Sequence, residues 1–203
     1  NLERLNILPE AKIYFCIQSA AGRSLTERFV GDVQTLSNID AEDFSQVSEY
    51  WMEKSIDRFR FKVGKQDANS EFCCLDCCGN FINSSFGLIP NVPIPTFPAP
   101  GLGVSGFVSL GDSISAGFGI FDGAPRGDTS GFDTAFDGEE GGIGIIELSL
   151  NLGEKGSEEP THRAISGFWL HTNETEEIDG GDRLANNRGA YLGYEGTLYS
   201  WNA

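Results

Sequence analysis

Asp57-Arg58-Phe59-Arg60-Phe61-Lys62-Val63-Gly64-Lys65 is the stretch whose reading decides the fold. Arg58, Arg60 and Lys62 occupy one side of a period-two alternation, and Phe59, Phe61 and Val63 occupy the other. Successive side chains of a β-strand point to opposite faces, so the stretch predicts a strand with one cationic face and one apolar face. In a soluble sheet such cations are simply solvated. In a barrel they line water, and guanidinium groups offer several fixed donors to sugar hydroxyls.

The same alternation recurs on both sides. Ala11 to Gln18 sets Ile13, Phe15 and Ile17 against Lys12, Tyr14 and Gln18. Gln46 to Ser55 sets Tyr50, Met52 and Lys54 against Trp51, Glu53 and Ser55, a less decisive pattern. Val104 to Leu110 and Ser113 to Phe121 are joined by Gly111-Asp112, which reads as a tight hairpin turn. Ile143 to Leu150, Arg163 to His171 and Gly189 to Tyr199 complete the predicted strands. Helical periodicity is scarce, and the fold class is all-β.

Connections alternate in length. Gly111-Asp112 is short, whereas Asp122 to Gly142 and Thr172 to Arg188 read as long, acidic, Gly-rich loops. Short turns at one end and long loops at the other describe an outer-membrane barrel, though a soluble β-sandwich also mixes loop lengths. Leu88 to Gly103, with Pro at 90, 93, 95, 98 and 100, cannot be a central strand and reads as an extended, stiff loop.

Composition narrows the function. The 203 residues carry 30 acidic against 14 basic side chains, a formal charge of -16, which opposes non-specific nucleic-acid binding. No apolar run is long enough for a transmembrane helix, but a membrane β-barrel escapes that test because every second residue faces water. The acids concentrate in the two long connections, from Asp122 to Glu140 and from Glu174 to Asp182. The N-terminal Asn1-Leu2-Glu3-Arg4 has neither the basic region nor the apolar run of a secretory signal, so a mature, trimmed or partial chain is expected.

Several motifs invite a chemical reading. Gly111-Asp112-Ser113-Ile114 resembles the nucleophile block of GDSL-type esterases, with Ser113 as nucleophile. In those enzymes the serine enters a helix, whereas Ser113 here opens a period-two run holding Gly117 and Gly119. The partner Asp-x-x-His block is missing before both His162 and His171. Cys73, Cys74, Cys77 and Cys78 include the Cys-x-x-Cys spacing of a zinc knuckle or redox pair. Zinc needs a second ligand pair, so these are expected to be small residues of a strand or loop, open to pairwise oxidation. Arg126-Gly127-Asp128 reads as incidental, and Asn83-Ser84-Ser85 and Asn173-Glu174-Thr175 matter only in a eukaryotic secretory setting. The acidic clusters lack the regular spacing of a calcium loop, and no metal is expected. A soluble acidic β-domain binding a partner through its loops is the remaining alternative.

Several blocks in order resemble the carbohydrate-selective porins of the OprB family. They are Gly31-Asp32-Val33-Gln34-Thr35-Leu36-Ser37-Asn38-Ile39, Trp51-Met52-Glu53-Lys54-Ser55 and Phe61-Lys62-Val63-Gly64-Lys65-Gln66-Asp67. They continue with Phe81-Ile82-Asn83-Ser84-Ser85-Phe86-Gly87, the Pro-rich run, Gly119-Ile120-Phe121-Asp122-Gly123 and Asn187-Arg188-Gly189-Ala190-Tyr191. The cysteine block departs from the family, which usually has an aromatic and glycine-containing stretch there.

The resemblance implies an antiparallel transmembrane β-barrel in a bacterial outer membrane, passing mono- and small oligosaccharides passively, with no enzyme activity and no cofactor. Outer-membrane lipid is then a partner, and a homo-oligomer is compatible. The family's barrel is expected to have about sixteen strands, and this chain supplies roughly eight or nine. Residues 1–203 are therefore expected to be part of a barrel, with 88–103 as the loop that constricts the pore. Arg58, Arg60 and Lys62 are the expected lumen-facing donors, and Phe97 the expected apolar face for a sugar ring.

Overall fold

The computed structural model describes residues 11–31, 36–37, 40, 43–82, 89, 91–123, 141–153, 162–176 and 183–197. Eight strands follow one another: β1 (Lys12–Ala20), β2 (Phe44–Ile56), β3 (Phe59–Gln66), β4 (Gly101–Ser109), β5 (Ile114–Asp122), β6 (Gly142–Asn151), β7 (His162–Glu176) and β8 (Arg183–Gly196). They form one sheet in which each strand pairs antiparallel with the next, in the order β1 to β8. Among the described residues no helix is long and apolar enough to cross a membrane, a test that says nothing about strands.

The two faces of this sheet have opposite chemistry. One face presents Ile13, Phe15 and Ile17 on β1, then Phe59, Phe61 and Val63 on β3. It continues through Phe118 and Ile120 on β5, Ile146 and Leu148 on β6, Phe168 and Leu170 on β7, and Leu192 on β8. All are exposed, Leu192 at 80 % and Ile13 at 72 %. The other face carries Glu53, Lys62, Ser105, Glu147, Ser149 and His171, each less than a tenth exposed. A soluble sheet leaves its polar side outward; here the outward face is apolar, and the inner face mixes these polar groups with Phe121, Ile143, Ile145, Ile165 and Trp169.

The inner face is covered by the chain itself. The described parts of the connection from β3 to β4 pack over it, with 3-10 turns at Ala68–Ser70 and Asp76–Asn80. Phe72 of this inward segment is fully buried, 5.3 Å from the Phe107 ring and 6.1 Å from the Phe121 ring, centroid to centroid. Val92 and Ile94, from the Pro-rich stretch, join the same cluster with Ile143, Ile145, Ile165, Trp169 and Tyr191. The apolar core thus lies between the sheet and its inward segment. The two parts of that segment are tied to each other where Ala68 N–H donates to Pro95 O at 2.8 Å and Phe97 N–H donates to Asp67 Oδ2 at 3.4 Å.

Several predicted boundaries move. Leu88 to Gly103, expected as a loop throughout, gives Gly101 to Gly103 to β4; these residues lie past Pro100, the last proline of the run, and pair with Gly64 to Gln66 of β3. The strand expected over Asp57 to Lys65 begins at Phe59, because Asp57 and Arg58 form a two-residue turn with Ile56 opposite Phe59. Asp57 takes φ 53°, a conformation that Asp tolerates better than most residues. The connection at Gly111-Asp112 spans the four residues between Ser109 and Ile114. Thr172 to Arg188, expected as a long loop, is mostly strand: β7 extends to Glu176 and β8 starts at Arg183, with a register shift between His171 and Glu174. Most of the acidic stretch Asp122 to Glu140, Arg126-Gly127-Asp128, and the block Asn83 to Gly87 lie outside the described residues. So do Leu88 and Pro90.

Candidate functional site

Alternation brings Arg60 and Lys62 to the inward face of β3, opposite Ser55 and Glu53 of β2. Arg60 donates to Glu53 Oε2 at 2.9 Å and, with both terminal nitrogens, to the two oxygens of Glu71 at 2.9 and 2.7 Å. Fork-to-fork pairing of this kind is the strongest geometry a guanidinium makes with a carboxylate. Lys62 reaches Glu71 Oε1 at 3.3 Å and lies 4.2 Å from the Trp51 ring centre. The Arg60 guanidinium also stacks over Phe107 at 4.0 Å. Burial alone would raise the Glu71 carboxyl, but the Arg60 and Lys62 cations overcome it and hold the group below the usual carboxylate range.

Arg58 does not share this ladder. It sits in the β2–β3 turn with its guanidinium 5.4 Å from the Phe59 ring. Phe97 is half-buried beside β2, edge-on to Phe44 at 6.0 Å. Alternation on β3 also breaks at Gly64, where φ is 132° and an added Cβ would lie 2.2 Å from Tyr50 O. Beyond it both Lys65 and Gln66 are buried, Lys65 with Nζ 3.5 Å from Gln46 Oε1. The Gln46 amide in turn donates to Pro98 O.

Further latches run across the sheet. Asp67 N–H donates to Glu49 of β2 at 3.2 Å, Cys73 N–H to Glu147 of β6 at 2.9 Å, and Cys77 N–H to Glu195 of β8 at 2.9 Å. Tyr191 O–H adds a 2.6 Å bond to the same Glu147 oxygen. Arg163 of β7 lies 3.7 Å from Asp76 and 3.6 Å from Glu195. Wall carboxylates thus accept the N–H groups that an irregular segment leaves unpaired, satisfying both partners at once. Burial pushes the Asp67 carboxyl above its usual range, against hydrogen bonds from Thr96, Phe97 and Asn69.

Sequence reasoning missed these carboxylates. Glu147 had a signal: it is the sole acid of the apolar run Ile143 to Leu150, in phase with Ser149. Glu71 had none, because nothing in Ser70-Glu71-Phe72 marks a chain reversal. Cys16, Cys73, Cys74 and Cys77 carry thiols rather than disulfides, and Cys73 is buried in the core cluster. Burial pushes its thiol up to about 12. Among the described residues no group of three or more His, Cys, Asp or Glu side chains is arranged to hold a metal.

Ser113 precedes strand β5 rather than a helix, and its carbonyl accepts from Asn151 N–H at 2.7 Å. The two histidines have other partners: His162 Nδ1 lies 2.7 Å from Tyr194 Oη, and His171 Nε2 lies 2.8 Å from Gly123 O.

The family model for the carbohydrate-selective porins, OprB family, matches residues 1–192. The chain belongs to the OprB family. A structure described as the high-pH structure of Pseudomonas putida OprB superimposes with a TM-score of 0.77 at 16 % identity. The match covers 94 % of this chain and 51 % of that one, so the chain spans about half the length of the OprB structure it resembles. Curated proteins offer no match. OprB porins are outer-membrane proteins, a setting with which the exposed apolar face of the sheet agrees.

Proposed function

We propose that this chain forms about half the wall of an outer-membrane channel through which sugars diffuse passively. The observation that carries the reading is the opposite polarity of the two faces of one sheet. Exposed Phe, Ile and Leu side chains face one way, and Glu53, Arg60 and Lys62 face the other, where Glu53 pairs with Arg60, and Glu71 of the inward segment pairs with Arg60 and Lys62. Strands β1 and β8 pair on one side only among the described residues. Unpaired strand edges are not tolerated in hydrocarbon, so in the membrane further strands close the sheet into a barrel.

In this reading the inward segment narrows the lumen. Of the Pro-rich stretch 88–103, residues 91–100 supply the segment's stiff part, residues 101–103 belonging to β4, and 67–82 supply the part latched to the wall. Arg60 is one-third exposed and presents guanidinium edge to the lumen, while Lys62 is 4 % exposed and supports Glu71 from below. Arg58 stands at the short-turn mouth, and Phe97 offers a ring face beside β2. Passage needs no nucleophile and no cofactor, because width and lining groups give selectivity. Full-length protein reconstituted in liposomes should admit neutral mono- and small oligosaccharides, read as swelling after dilution into iso-osmotic sugar. Liposomes that swell no faster than protein-free ones would contradict the proposal.

A further inference from the structure

Among the described residues, the cations on the inner face are held in pairs. Lys12 lies 3.4 Å from Glu53, Arg60 is held by Glu53 and Glu71, Lys62 by Glu71, and Arg163 by Asp76 and Glu195. Lys65 is wholly buried against Gln46 and faces no solute. Beside these pairs the sheet and the inward segment form an open recess of about 320 Å³, lined by Arg60, Glu71, Asp76, Phe107, Glu147 and Arg163. Two guanidinium groups there face three carboxylates. Its remaining polar lining is uncharged, with Ser70, Ser115, Ser149 and Asn151 offering hydroxyl and amide groups. A volume near the lower end of small-molecule sites suits one sugar ring.

Glu71 is the member of this set that the inward segment, not the sheet, contributes. It alone touches both cations of the β3 ladder. We propose that Glu71 determines the charge preference of the channel, cancelling Arg60 and Lys62 so that the wall accepts uncharged sugars and disfavours anionic ones such as sugar phosphates. The inference rests on the sugar-channel reading and deepens it. Without Glu71, Arg60 would keep one partner in Glu53, and Lys62 would turn an uncompensated ammonium toward the lumen. Charge in a narrow, partly desolvated passage acts strongly on a permeating ion.

The test is the reversal potential of the full-length protein in planar bilayers under a potassium chloride gradient. Glu71→Gln should shift it toward chloride, and Arg60→Gln should shift it the opposite way, toward potassium. Glucose 6-phosphate should block the Glu71→Gln channel at a concentration on the order of tenfold below that for wild type, the equivalent of one charge-assisted hydrogen bond. Opposite shifts support the assignment, and Arg60→Gln keeps it testable if Glu71→Gln fails to assemble. Unchanged potentials, or shifts of the same sign in both variants, would overturn it. A wild-type channel that glucose neither blocks nor crosses would instead count against the sugar reading.

Discussion

Gly167 faces inward on β7, and a Cβ added there would lie 2.2 Å from Tyr191 Cζ, inside the ring that donates to Glu147. Gly167→Ala should therefore displace Tyr191 and loosen the latch on Cys73, costing about 1–3 kcal/mol as overpacking does. Gly144 has nothing within 4 Å of an added Cβ, so Gly144→Ala should stay within about 0.5 kcal/mol. Denaturant titration of the refolded full-length barrel checks the pair. Equal costs would contradict the placement of Tyr191.

Thiol reactivity separates two further residues. Cys73 is buried, and burial pushes its thiol up to about 12, whereas Cys77 is exposed. Maleimide at mildly alkaline pH should label Cys77 well before Cys73 in single-cysteine variants. The sign of the linked stability follows. Between the ordinary thiol value of 9.0 and about 12 the unfolded chain has lost a proton that the folded chain keeps. Unfolding then releases a proton, and stability falls as pH rises through that window.

The strands divide by face, and substitutions should divide with them. Leu148 is 57 % exposed on the outward apolar face of β6, so in the proposed membrane setting Leu148→Arg should cost about 2–4 kcal/mol near the bilayer midplane. Ser115→Arg, on the recess side of β5, should alter conductance more than stability. The inward segment carries its own pH dependence. Glu71 is held below its ordinary 4.5, so its anchoring is complete above that value and is lost as pH falls through the lowered one. Protease protection of the segment should persist from neutral pH to about 4.5 and fail only in stronger acid. Release at or above that pH would contradict the Arg60–Glu71–Lys62 arrangement.

These same elements show what the sequence made legible. Period two separates the two sides of a strand, so the faces of Ile13-Tyr14-Phe15 and Phe59-Arg60-Phe61 are legible in the sequence, whereas which side looks inward is not written in the alternation. Alternation fails where lipid no longer demands it. Thr172-Asn173-Glu174-Thr175-Glu176 is polar on both faces and reads as loop, yet the ladder continues to Glu176 opposite Arg183. Backbone pairing holds those residues in strand. Arg58 was in phase with Arg60 and Lys62, but phase cannot report a turn that Asp57 makes through its own φ. The inward fold of 67–82 was hidden because the groups that hold it, Glu49, Glu147 and Glu195, lie far away in sequence. Long-range pairing of a backbone N–H with a distant carboxylate leaves no local pattern.

At the scale of the whole sheet, the described residues form a wall rather than a container. Their eight strands expose apolar surface that water would not stabilise and leave two edges that lipid would not tolerate. Both conditions are met when the sheet closes around a water-filled lumen within a bilayer. In the proposed reading the inward segment then stands in the path of solutes, held by the ion pairs of Glu71 with Arg60 and Lys62. The measurement that tests this most directly is single-channel recording of the full-length protein in planar bilayers while a neutral sugar is titrated in. Discrete conductance steps that glucose or a small oligosaccharide reduces in a saturable way are the predicted result. The absence of steps, or steps that no added sugar ever reduces, would contradict it.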